Sequence, residues 1–172
     1  MAILPIRIYP DPVLRVHCQQ VDEFDGELEK LAADMIETMH AAPGIGLAAP
    51  QVGVDTRLAV VDVSVGEIEQ ELHVLINPEL LEAHGQIVDV EGCLSIPEIT
   101  DKVTRPEKIR VRARDLAGKS FELEVEELAA RAICHEIDHL NGVLFVDRLT
   151  GLRRERAKRK LTRLSRQPEI AV

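Results

Sequence analysis

Apolar positions along the chain switch between two periods. In residues 24–43, Leu28, Leu31, Met35, Ile36 and Met39 recur every three or four positions, with charges between them. That spacing predicts an amphipathic helix, ended by Pro43 and Gly44. RLAVVDV (57–63) and ELHVLINP (71–78) are nearly continuous apolar runs and predict buried strands. LLEAHGQIVDVEG (80–92) carries a weaker strand pattern, interrupted at Gly85. Strict alternation follows in KIRVRARD (108–115) and SFELEVE (120–126), where Ile109, Val111, Ala113 and then Phe121, Leu123, Val125 share a face. With Asp115-Leu116-Ala117-Gly118 between them, these two runs predict an antiparallel hairpin. EELAARAICHEIDHL (126–140) returns to helical spacing and stops at Asn141-Gly142. Leu152, Ala157, Leu161 and Leu164 give the C-terminal segment a thin apolar stripe and predict a third helix. The expected architecture is α+β: mostly antiparallel strands packed around one central helix, with a C-terminal helix outside.

Composition narrows this picture. A chain of 172 residues, 45% hydrophobic and 30% charged, can bury one core, so a single domain over residues 1–172 is expected. No run approaches the ~20 apolar residues of a membrane span. MAILPIRIYPDP lacks the basic and long apolar regions of a secretory signal. The four aromatics, Tyr9, Phe24, Phe121 and Phe145, leave an aliphatic core and little for stacking nucleic-acid bases. Three cysteines, Cys18, Cys93 and Cys134, make a poor disulfide framework and fit a reducing cytoplasm, where cysteine near histidine points to metal binding or catalysis. The net charge of −9 is unevenly spread: residues 151–172 carry eight Lys/Arg against two Glu, a net +6, leaving −15 for residues 1–150. Only that basic tail suits a polyanionic partner.

The predicted second helix contains His135-Glu136-x-x-His139. Histidines four apart share a helix face and can bind one metal, while Glu136, rotated roughly 100° from His135, can reach a metal-bound water without ligating the metal. A metal lowers the pKa of such a water to about 7, and a carboxylate can take and return its proton. Alone, the motif also fits a helix with a polar side. A third ligand decides the chemistry. The protease extension H-E-x-x-H-x-x-G-x-x-H fails because Phe145 stands at the last position. A downstream glutamate is a poor candidate as well, since Glu155 sits among cations. Upstream, EGCLS (91–95) offers Cys93, either a buried thiol or a thiolate ligand. One Cys and two His would leave a fourth position open, the pattern of a catalytic site rather than a closed structural one. Cys134, adjacent to His135, points off the metal face and is read as core.

GIGLAAPQVG (44–53) matches a dinucleotide fingerprint in letters only: a helix precedes it, and Pro50 interrupts the helix that should follow. Gly44 and Gly46 suit either a plain turn or an extended loop whose backbone approaches a ligand, with Gln51 offering an amide N–H.

GIGLAAPQ, EGCLS and HEIDH, in this order and spacing, together with PDPVLR near the N-terminus and the basic C-terminal helix, resemble the peptide deformylase family over nearly the whole chain. The resemblance implies removal of the N-formyl group from the initiator methionine of newly made proteins, with release of formate. It implies that Cys93, His135 and His139 bind one divalent metal, Fe(II) in the cell, with zinc, nickel or cobalt possible after purification. It makes Glu136 the general base and acid, and Gln51 with the backbone N–H of Leu94 the oxyanion donors. The Gly44–Gly46 loop would carry the substrate backbone, and Ile45, Leu128 and Ala132 would contribute to a methionine pocket. Glu91 and Arg105 would pair behind the EGCLS loop. The basic helix resembles a segment that docks on the ribosome; a merely solvated charged helix fits its composition equally. Cys134 departs from the family's usual Gln; no change of chemistry is expected, but a greater sensitivity of the site to oxidation is. Two other readings stay open: a metallopeptidase built on the same helix, and a non-catalytic ribosome-associated protein with a structural metal.

Overall fold

The computed structural model describes residues 1–166, and the last six positions of the predicted basic tail lie outside the described residues. Helix α1 (Gly26–Ala41) starts where the Asp25 carboxylate accepts the Leu28 N–H at 3.0 Å, which satisfies one of the unpaired first-turn amides. Its predicted stripe faces inward: Leu28, Met35 and Met39 are buried with Ala32 between them. These side chains pack against Leu47, Leu58, Val60 and Ile76.

Among the described residues, seven strands form two antiparallel sheets: β1 (Gly46–Ala48), β2 (Leu58–Asp62), β3 (Leu72–His84), β4 (Ile87–Cys93), β5 (Ile96–Arg105), β6 (Lys108–Arg114) and β7 (Ser120–Glu126). The five-stranded sheet runs β1-β2-β3-β6-β7, and β4 pairs with β5 alone. The predicted hairpin is β6–β7, with Ile109, Val111 and Ala113 opposite Val125, Leu123 and Phe121. Its turn closes where the Asp115 carboxylate accepts the Ala117 and Lys119 amides. The weak run 80–92 divides into two strands. Its first part continues β3, which bulges against β6, and its second part is β4. Gly85, at φ +69°, makes the corner between them, a backbone region that favours glycine.

Strand β5 escapes the sequence pattern. Its buried residues Ile96, Ile99 and Val103 are not spaced by two throughout, because Pro97 and Glu98 interrupt the pleat and Glu98 sits at φ +67°. Helix α2 (Glu127–Leu140) lies against β1 and β2, burying Ala130 and Ile133 among Val61, Leu75, Ile109 and Val111. It is the central helix expected. Helix α3 (Gly151–Arg166) docks through Ala157 and Leu161 onto Leu14, Ile96 and Phe145 and leaves its cations outside. Among the described residues, no helix is long and apolar enough to cross a membrane.

Candidate metal centre and catalytic cleft

One turn apart on α2, His135 and His139 bring their Nε2 atoms to 3.1 Å from each other. Cys93, the last residue of β4, sets its Sγ 3.3 Å from His139 Nε2. One ligand atom from each of the three residues lies within 4.8 Å of the others. Burial and the neighbouring His135 push His139 well below the ordinary histidine range, so its ring stays neutral and keeps a lone pair. Its Nδ1 is buried without a hydrogen-bond partner among the described residues. Two imidazoles and a thiol converging this closely suit a divalent cation, and one sulfur with two nitrogens is a donor set that zinc, ferrous iron, nickel and cobalt all accept.

Behind His135 lies a buried ionic cluster. Glu91, two residues before Cys93 on β4, places Oε1 2.8 Å from His135 Nδ1. This contact leaves Nε2 as the nitrogen facing the centre. Arg105 grips both Glu91 oxygens, at 2.8 and 2.9 Å, as the family resemblance implied. Arg131 donates to Glu91 Oε2 at 2.7 Å. Arg105 also donates to Asp138, which Arg148 holds from the other side, both at 2.7 Å. Burial alone would raise the Glu91 carboxyl, but the arginine and histidine hydrogen bonds outweigh it and hold it at about 2.

Glu136 is buried against β1. Burial pushes its carboxyl up to about 7, and its Oε2 has no partner among the described residues. A carboxyl poised near neutrality and otherwise unengaged is suited to moving protons. Gly46 is what leaves it room, since a Cβ built there would lie 2.4 Å from Glu136 Oε1. Gln51 follows β1 on a tight turn. Its Oε1 accepts the Ala48 N–H at 2.9 Å, which directs Nε2 toward Cys93 Sγ at 3.6 Å and Ser95 Oγ at 3.2 Å.

These groups open into a cleft of about 370 Å³. Gly44, Ile45 and Gly46 form one wall, Leu94 lies beside Cys93, and Leu128 and Ala132 rise from α2. Ala132 is buried, whereas Leu128 is half exposed at the mouth. All the site residues singled out from the sequence thus converge, His139 from beneath the cleft. Sequence reasoning missed Arg131, Asp138, Arg148 and Ser95. The signal for Arg131 and Asp138 was available: they precede His135 by four residues and follow it by three, so they share its helix face. Cys134 belongs to the core, as its place beside His135 predicted: it is buried, and that burial pushes its thiol up to about 11.

Fold and site define an α+β hydrolase whose Cys-His-His cluster and buried glutamate meet under an open cleft. The profile of the polypeptide deformylase family matches residues 3–155. The peptide deformylase of Acidobacterium capsulatum is 50% identical over 169 residues, covering 98% of this chain and 99% of that protein. That of Hydrogenovibrio crunogenus is 54% identical over 157 residues, covering 91% and 92%. The crystal structure of a peptide deformylase from Legionella pneumophila superposes with a TM-score of 0.87 at 46% identity, covering 97% of this chain and 100% of that one. The chain belongs to the peptide deformylase family, and it is an enzyme.

Proposed function

We propose that this enzyme removes the N-formyl group from the N-terminal methionine of newly synthesised polypeptides and releases formate, using one divalent metal held by Cys93, His135 and His139. The observation that carries the reading is the meeting of these three side chains with the unengaged Glu136 carboxyl at the floor of a cleft. When bound, the metal supplies Lewis acidity and an acidified water, which a formamide needs because it is an unactivated amide. Glu136 would hold a proton taken from the attacking water and return it to the departing amine. Gln51 Nε2 and the Leu94 backbone N–H donate to the formyl oxygen as it gains charge; one such donor is typically worth about 2.7–4 kcal/mol of barrier.

Strand β1 is the outer strand of its sheet. An extended peptide laid along Gly44, Ile45 and Gly46 would add to that edge through backbone hydrogen bonds, which ask nothing of the substrate's later side chains. Ile45, Leu128 and Ala132 line the space for the methionine side chain. In the cell the metal is Fe(II); zinc, nickel or cobalt can replace it in the purified protein. Residues 1–172 act as one catalytic domain in the cytoplasm. The cations of α3 face outward and suit ribosomal phosphates near the emerging chain.

The test is formate release from a formyl-methionyl peptide by protein purified without oxygen. The same protein is assayed for cleavage of unformylated peptides. Formate release with the peptide bonds left intact supports the proposal. Internal cleavage without formate release makes the protein a metallopeptidase instead.

A further inference from the structure

The guanidinium of Arg131 does more than neutralise Glu91. It lies one helical turn before His135 on α2 and is 7% exposed. Its Nη1 donates to Glu91 Oε2 at 2.7 Å and to the Val103 carbonyl of β5 at 2.9 Å, and it reaches the Asp89 carbonyl of β4 at 3.5 Å. Its Nη2 donates to the Ile87 carbonyl of β4 at 2.9 Å. One side chain from the helix that bears both histidines therefore grips both strands of the hairpin that bears Cys93. A planar fork with several N–H groups can do this; an ammonium on a single stem cannot satisfy the same set of acceptors.

From this geometry we infer that Arg131 is a positioning residue for the metal centre, acting in two ways. Through Glu91 it fixes the acceptor that orients His135. Through the Ile87 and Val103 carbonyls it sets the distance between the β4–β5 hairpin and α2, and hence between Cys93 and the histidines. Arg105, on β5, also ties the hairpin to α2 through Asp138, but its bonds to Glu91 stay within the hairpin and it holds neither the Ile87 nor the Val103 carbonyl that Arg131 holds. The inference rests on the reading of Cys93, His135 and His139 as metal ligands.

The experiment loads wild type, Arg131→Met and Arg131→Lys with Zn(II) and follows its release into excess colorimetric chelator. Co(II) loading reports the thiolate–metal absorption band, and unfolding of each metal-free protein reports stability. Arg57→Met is the control. Arg57 is another buried arginine, bonded to the Leu140 carbonyl and the Asn141 side chain and absent from the Glu91 cluster. Losing an outer partner of a metal ligand typically weakens metal binding about 10- to 100-fold. Arg131 acts through Glu91, the outer partner of His135, so Arg131→Met is expected to release Zn(II) up to about tenfold faster than wild type and to alter the Co(II) band. Arg131→Lys should fall between them, and Arg57→Met should lose stability without either change. If Arg131→Met folds poorly, Arg131→Lys alone decides the matter. Wild-type release from both Arg131 variants overturns the inference while leaving the proposed activity standing, as does an equal acceleration in Arg57→Met. A wild-type protein that binds no Zn(II) overturns both.

Discussion

Replacing Gly46 with alanine adds a single methyl group at the floor of the cleft. Its Cβ would stand 2.4 Å from Glu136 Oε1, 3.0 Å from Cδ and 3.1 Å from Cγ. Rotating the carboxylate cannot relieve contacts with all three atoms, so the end of the side chain must retreat. Ordinary van der Waals contact begins near 3.4 Å, which makes the retreat about 1 Å. Nothing on the far side offsets this, because Glu136 Oε2 has no hydrogen bond to hold it among the described residues. A misplacement of about 1 Å can cost about 100-fold in rate, or roughly 2.7 kcal/mol of barrier. Formate release from a formyl-methionyl peptide should show that loss in kcat, with the metal retained. Gly44→Ala is the contrast: its Cβ would meet the Leu94 Cδ1 methyl at 3.0 Å, away from Glu136, so its effect should fall mainly on KM. Combining Gly46→Ala with Glu136→Asp, which withdraws the carboxylate by one methylene, should cost less than the two separate losses multiplied. A Gly46→Ala enzyme within twofold of wild-type kcat would refute the reasoning and reduce Gly46 to a substrate-strand residue.

Other expectations concern the thiols and the acid stability. A thiol reagent at neutral pH should modify Cys93 in the metal-free protein and spare Cys18 and Cys134, whose thiols burial pushes up to about 11; metal loading should protect Cys93, as mass spectrometry can check. Asp62 is buried where strand β2 ends. It accepts from Ser64 N, Ser64 Oγ and Gly66 N at 3.0, 2.6 and 2.7 Å, and lies 2.8 Å from His40 Nε2. Burial would raise its carboxyl, but these contacts prevail and hold it below the usual range. A depressed carboxyl stabilises the fold above its unfolded pKa, and that contribution fades as pH falls through the folded pKa. Asp62→Asn should therefore cost about 2 kcal/mol near neutral pH and flatten the loss of stability below about pH 4, both readable by denaturant titration.

The legible parts of the chain were those where one local rule dominates. The α1 stripe, the β6–β7 alternation and the helical spacing around His135 each bury a regular face, so period alone identified them. The glycine loop, EGCLS and the His-Glu-x-x-His turn were legible as chemistry because donor types and spacing restrict what they can do. Strand β5 was not legible: Pro97 and the positive φ of Glu98 break its alternation, and its order comes from pairing with β4 rather than from its own pattern. Arg131 and Asp138 share the helix face of His135, which spacing shows, but their partners Glu91 and Arg105 arrive from β4 and β5, so which ions they pair with, and the part of Arg148, are settled only by the tertiary structure.

The central claim is that a metal bound by Cys93, His135 and His139 and a proton carried by Glu136 together hydrolyse the formyl group. Its most direct test measures metal content and formate release side by side in wild type, Glu136→Ala and Cys93→Ala, all purified without oxygen. The account predicts one metal per chain and turnover in wild type, one metal and no turnover in Glu136→Ala, and neither in Cys93→Ala. Wild-type turnover in a Glu136→Ala protein that retains its metal would contradict it.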